Sequence, residues 1–154
     1  MTPAIAIAVL ILATASTGAI FTPGAWYEAL RKPSWTPPNW MFPVVWSVLY
    51  VMIGVAGWIV FREAGWSAAM LAWGAQLVFN AAWSGLFFGL RRMRFALLDA
   101  ALLVASIVAF IVLAKPISLV ASLLFVPYLA WAITACALNL RVLQMNPIGS
   151  RPVA

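Results

Sequence analysis

Three acidic side chains, one cysteine and no histidine are all that this chain of 154 residues offers to ordinary catalysis. Glu28, Glu63 and Asp99 are scattered along the sequence and Cys136 lies in an apolar run, so they assemble no acid–base pair, nucleophile–base pair or metal site. What the chain has in excess is indole, with nine tryptophans. Gln76, Asn80 and Trp83 follow one another at spacings of four and three, which places all three on one side of a helix. Trp46 and Tyr50 share a face in the same way, and Trp131 and Ala135 stand one turn apart on another helix. Amides in an apolar run must find partners, so the Gln76–Asn80 side faces a bundle interior or a cavity. Interhelical bonding and core packing account for each residue singly. Taken together, Trp46, Trp83, Trp131 and Asn80 exceed what a void-free apolar bundle needs, and a flat aromatic ligand fits the excess.

The elements that position these residues are set by composition. Hydrophobic residues make up 66% of the chain and charged residues 8%, with a mean hydropathy of +1.07. A soluble domain has about 45–50% apolar and about 25% charged residues, so this is a polytopic membrane protein. The +6 charge does not mark a nucleic-acid partner, because the cations are scattered at segment ends and form no stripe. Five apolar runs are long enough to span, at about 3–21, 43–61, 67–90, 95–114 and 117–140. They predict an all-α membrane protein, a five-transmembrane-helix bundle in a single membrane domain over 1–154. No Lys or Arg precedes the first run, as a secretory signal normally requires. Thr14, Ser16, Thr17 and Gly18 at its end suit close packing or a cavity wall.

Between the first two runs lies a long loop, 22–42. It begins the stretch Trp26–Tyr50, which holds four of the nine tryptophans and four of the ten prolines. No helix passes Pro33, Pro37 and Pro38, because each proline removes a donor and disfavours helical geometry before it. Trp26, Trp35 and Trp40 therefore sit on a shaped loop, either as an aromatic belt at the bilayer boundary or as a lid over a cavity.

Further along, Asp99 lies about one turn inside the fourth run, where a carboxylate needs a partner, and the Arg91, Arg92 and Arg94 turn is the expected one. Pro127-Tyr128 predicts a kink in mid-helix, and the chain beyond Arg141 reads as a frayed end. Ala81, Gly85 and Gly89 recur every four residues and predict that the third run packs on a second copy. Arg31, Lys32, Arg91, Arg92, Arg94, Arg141 and Arg151 fall on one side of a five-span bundle, against Arg62 and Lys115 on the other. That bias predicts a cytoplasmic tryptophan loop and C-terminus.

Three blocks carry a resemblance. Pro33-Ser-Trp35-Thr-Pro37-Pro38-Asn-Trp40 followed by Pro43, Trp46, Leu49 and Tyr50 is the first. Gln76-Leu77, Asn80, Trp83 and Phe87-Phe88-Gly89 form the second, and Pro127-Tyr128-Leu129-Ala130-Trp131 with Leu138-Asn139 the third. In order and spacing they resemble the translocator protein family, also called tryptophan-rich sensory proteins or peripheral benzodiazepine receptors. The resemblance implies a homodimer whose pocket opens toward the long first loop. It implies protoporphyrin IX or a haem precursor as ligand, no resident cofactor, and a role in porphyrin transport, sensing or disposal. Benzodiazepine- and isoquinoline-type compounds are implied as further ligands. Carried onto this chain, the binding positions are Trp26, Tyr27, Trp35, Trp40, Trp46, Tyr50, Asn80, Trp83, Trp131 and Ala135. Some bacterial members degrade protoporphyrin in light, and Trp46 and Trp131 are the candidates for such photochemistry here. A structural or regulatory membrane protein with incidental ligand binding is the alternative. A sterol is not favoured, since Leu138-Asn139 is followed by Leu140 and Arg141 without the tyrosine of the animal sterol segment.

Overall fold

The computed structural model describes residues 2–147 and is built of helices. Helix α1 covers Pro3–Ile20, α2 is the short Ala25–Glu28, and α3 runs over Met41–Ala64. Then come α4 at Ala68–Ser84, a π-helical turn at Gly85–Gly89, and α5 at Met93–Ala114. Helix α6 covers Leu119–Leu124 and α7 Val126–Met145. Among the described residues four helical runs are long and apolar enough to cross a membrane: α1, α3, α5 and the stretch Leu119–Met145. Their outward faces carry Leu12, Val51, Val112 and Val120 exposed, an apolar exterior that suits lipid and would be costly against water.

Residues 29–40 contain turns and no helix, in agreement with the prolines. Only the loop start departs from the reading, where α2 precedes Pro33. Ser67 opens α4 by accepting a hydrogen bond from the Met70 amide at 3.4 Å, and Gly65, at φ +59°, supplies the sharp exit from α3.

The main core lies between α3, α4, α5, α6 and α7 and includes Ile53, Val60, Trp73, Ile107, Phe110 and Phe125. One contact sets the distance between α3 and α4. A Cβ on Gly57 would stand 2.5 Å from the Trp73 ring, so the missing side chain lets that indole lie on α3 and donate from Nε1 to the Ile53 carbonyl at 2.9 Å. Phe110 and Phe125 pack with ring centroids 3.9 Å apart, and Ser122 donates to the Ile111 carbonyl at 2.9 Å, which fastens α6 to α5. A smaller cluster at the loop end joins Tyr27, Phe87, Ala96, Leu138 and Val142.

Five sequence expectations need correction. The third run is not α-helical throughout: α4 has 17 residues, roughly 26 Å at the α-helical rise, and the π-turn takes over at Gly85 with Leu90 N–H bonded to the Gly85 carbonyl at 2.8 Å. Pro127 does not kink a continuous helix. The helix stops at Leu124 and restarts at Val126, with Pro127 in the opening turn where no donor is needed.

Gly85 and Gly89 are filled from within the chain, because the Phe21 ring would lie 3.6 Å and 2.9 Å from a Cβ at these positions. Asp99 makes no ion pair among the described residues and its Oδ2 is buried without a hydrogen bond. The arginines it was expected to meet turn outward, with Arg91 over the Trp26 ring at 5.7 Å and Arg92 over Phe95 at 5.7 Å. Finally, α7 continues past Arg141 to Met145 and Asn146 is hydrogen bonded, whereas 148–154, most of the tail expected to fray, lie outside the described residues. Ser150 and Arg151 lie outside the described residues.

Candidate functional site

Helices α3, α4 and α7 each turn one aromatic or amide-bearing face toward the others. From α3 come Trp46 and Tyr50, stacked with centroids 5.4 Å apart and planes 29° from parallel. From α4 come Gln76 and Asn80, both buried, and from α7 comes Tyr128, fully buried. These side chains form one hydrogen-bonded chain. Tyr50 donates its hydroxyl to Asn80 Oδ1 at 2.9 Å, Asn80 Nδ2 donates to the Tyr128 hydroxyl at 2.8 Å, and Tyr128 donates to Gln76 Oε1 at 2.9 Å. Three helices are thereby tied at one depth. Gln76 Nε2 ends the chain as a buried donor without a protein partner.

Trp46 also meets Tyr128 edge-on at 6.0 Å, which puts an indole directly over the polar chain. On its outer side, α3 and α7 leave a groove of about 470 Å³ lined by Val44, Val48, Leu49, Met52, Pro127, Ala130, Trp131 and Thr134. The lining is apolar apart from the Thr134 hydroxyl, which is turned back onto the Ala130 carbonyl at 2.9 Å. Trp131 forms one end of the groove and contacts Phe42 edge-on at 5.7 Å.

A second aromatic group lies under the loop. Trp83 stacks on Phe87 at 5.1 Å and 16°, Trp26 meets Phe87 edge-on at 5.8 Å, and Tyr27 meets Phe88 edge-on at 5.4 Å. Trp83 Nε1 is buried there without a partner. Burial raises the Tyr27 phenol above its ordinary value, and the Glu28 carboxylate beside it adds to the shift.

The ten positions singled out from the sequence thus divide. Tyr50 and Asn80 belong to the polar chain, Trp46 packs on it, and Trp131 lines the groove, with Ala135 half-buried one turn beyond Trp131. Trp26, Tyr27 and Trp83 belong to the cluster under the loop. Trp35 and Trp40 join neither, being 49% and 67% exposed. Sequence reasoning passed over Tyr128, the hub of the polar chain, and Phe42, which contacts Trp131 while packing on the loop cluster. The signal for Tyr128 was present, since a phenol in an apolar run has to find a partner. Phe42 had none.

The model of the TspO/MBR family matches residues 4–145. Protein CrtK of Rhodobacter capsulatus is 42% identical over 143 residues, covering 90% of this chain and 88% of that protein. The tryptophan-rich sensory protein of Cereibacter sphaeroides is 38% identical over 134 residues, with 87% and 85% covered. The translocator protein of Bos taurus is 37% identical over 139 residues, with 85% and 82% covered. A family match over nearly the whole chain, together with helices apolar enough for a bilayer, makes this an integral membrane protein that belongs to the TspO/MBR family.

Proposed function

We propose that the protein binds a tetrapyrrole of the protoporphyrin IX type within a bundle of five membrane spans and takes part in porphyrin transport, sensing or disposal. The five spans are α1, α3, α4 with its π-turn, α5, and α6 continued by α7. The observation that carries the reading is the buried Tyr50–Asn80–Tyr128–Gln76 chain beside Trp46, on the same helices α3 and α7 that leave the apolar groove lined by Trp131. Ligand sites typically combine an apolar space of about 300–1,000 Å³ with a few convergent polar groups. Indole faces stack on a flat macrocycle, and Trp131 in the groove lining offers one. The names of the relatives, translocator and sensory protein, fit a membrane role for such a ligand.

In this reading the loop and the C-terminus face the cytoplasm, where Arg31, Lys32, Arg91 and Arg92 stand ready for propionate groups. Benzodiazepine- and isoquinoline-type compounds, also flat and aromatic, would use the same space, and the protein acts as a homodimer. The test is a dark titration of purified protein in nanodiscs with protoporphyrin IX, read by tryptophan quenching. Saturable quenching at one ligand per chain is expected. Quenching that rises linearly without saturation would remove the proposal.

A further inference from the structure

The tryptophan-rich loop is braced internally, packs Leu30 on the aromatic cluster beneath it, and is hydrogen bonded to the end of α7 by the Asn146 side chain. Inside it, Asn39 Nδ2 donates to Glu28 Oε1 at 3.2 Å, and Lys32 Nζ donates to the Glu28 carbonyl at 3.2 Å while pairing with its carboxylate at 3.7 Å. Thr36 closes a turn onto the Pro33 carbonyl at 2.7 Å. Outward, the side-chain hydrogen bonds of this stretch reach Asn146, at the end of α7. Asn146 Oδ1 accepts from the Arg31 amide at 3.0 Å, and Asn146 Nδ2 donates to the Arg31 carbonyl at 2.9 Å. One amide side chain therefore satisfies both backbone groups of Arg31, as a neighbouring β-strand would, across 115 residues of sequence. Its Nδ2 also donates to the Val142 carbonyl at 2.8 Å, which fixes the amide plane on the helix end.

We propose that Asn146 is a latch that holds the tryptophan-rich loop closed against the last helix, so that breaking its bonds to Arg31 releases residues 29–40 as a braced unit. The chemistry suits a reversible closure. Two neutral hydrogen bonds at an exposed site hold the loop with a modest net free energy, and the internal bracing keeps its shape when they break. The anchored end is α2, where buried Tyr27 packs on Phe87 and Phe88. The other end is the start of α3 at Met41. Under the loop lies the aromatic cluster with the unpartnered Trp83 Nε1, so opening exposes a donor that the closed form leaves unused. That the latch governs ligand exchange rests on the tetrapyrrole reading; that it holds the loop does not.

The experiment uses trypsin on the full-length protein in nanodiscs, without ligand, with cleavage sites mapped by mass spectrometry. The bond after Arg31 is cleavable, whereas the bond after Lys32 is protected by Pro33. In the wild type, cleavage after Arg31 should be slow because its amide and carbonyl are both held. Asn146→Ala should speed cleavage there about tenfold, the factor expected when two neutral hydrogen bonds are lost. Asn146→Asp, which keeps an acceptor for the Arg31 amide and loses both donations, should fall between the two. Arg141, inside α7, serves as the control. Cleavage gained at Arg31 alone establishes the latch. Equal gains at Arg31 and Arg141 would show that Asn146 only caps α7, and no gain at Arg31 would show that the loop is held by its aromatic anchor; either result overturns the proposal. Because no porphyrin is present, the outcome is independent of whether the protein binds one.

Discussion

Removing the Tyr128 hydroxyl should destabilise the bundle far more than removing that of Tyr50, although both belong to the same polar chain. Tyr128 is fully buried, and its hydroxyl both accepts from Asn80 Nδ2 at 2.8 Å and donates to Gln76 Oε1 at 2.9 Å. Tyr128→Phe keeps the ring against Phe125 and Trp46 but leaves an amide donor and an amide acceptor buried without partners. Each orphaned buried group costs about 1–3 kcal/mol, so leaving two should cost about 2–6 kcal/mol. Tyr50 is half-buried and makes one such bond, so Tyr50→Phe should cost about 1 kcal/mol. The assay is reversible unfolding of the purified protein by SDS titration, with helicity as the signal. Gln76→Leu in the Tyr128→Phe background should recover part of the loss, because it removes one orphan. A Tyr128→Phe variant no weaker than Tyr50→Phe would refute the claim that this phenol ties the three helices together.

Two further outcomes follow from single positions. Gly57→Ala should cost about 1–3 kcal/mol by pushing the buried Trp73 ring off α3, whereas Gly74→Ala, with nothing within 4 Å of the new methyl, should be neutral or slightly stabilising; the same SDS titration checks both. Tyr27 should ionise above its ordinary value of 10, because burial and then Glu28 disfavour the phenolate. An unfolded chain that loses this proton first is favoured as pH rises, so the contribution of Tyr27 is present below pH 10 and is lost as pH climbs through the raised folded value. Alkaline unfolding monitored at 295 nm should therefore shift to higher pH in Tyr27→Phe.

Much of the architecture could be read from the order of residues, because a bilayer imposes length and polarity so strictly. The apolar runs end where Arg62, the Arg91–Arg94 turn and Lys115 stand, and the helices end within a few residues of them. The prolines of the loop likewise exclude a helix over 29–40. What could not be read depends on which side chain reaches which neighbour. Gly85 and Gly89 are spaced as they would be for a partner helix, yet their gap is filled by Phe21. Asp99 is close in sequence to three arginines, but it lies further along α5 while Arg91 and Arg92 lean on Trp26 and Phe95. Pro127 is as compatible with a helix start as with a kink, and only the packing of Phe125 on Phe110 shows that the chain restarts there. In the site itself, the spacing of Gln76, Asn80 and Trp83 correctly marked an inward face. The spacing did not show how the ten positions divide, with Trp83 stacked on Phe87 under the loop and Trp35 and Trp40 exposed.

The central claim is that a flat tetrapyrrole sits against Trp46 and Trp131 beside the polar chain. It is tested most directly by repeating the dark protoporphyrin IX titration on Trp46→Leu, Trp131→Leu and Trp66→Leu. Trp66 is 82% exposed in the turn after α3, at the end of that helix remote from Trp46, and serves as the control. Loss of an aromatic contact worth about 0.5–1.5 kcal/mol should weaken binding by about 2- to 12-fold at Trp46 and at Trp131 and leave Trp66→Leu unchanged. Equal affinities in all three variants and the wild type would contradict the account.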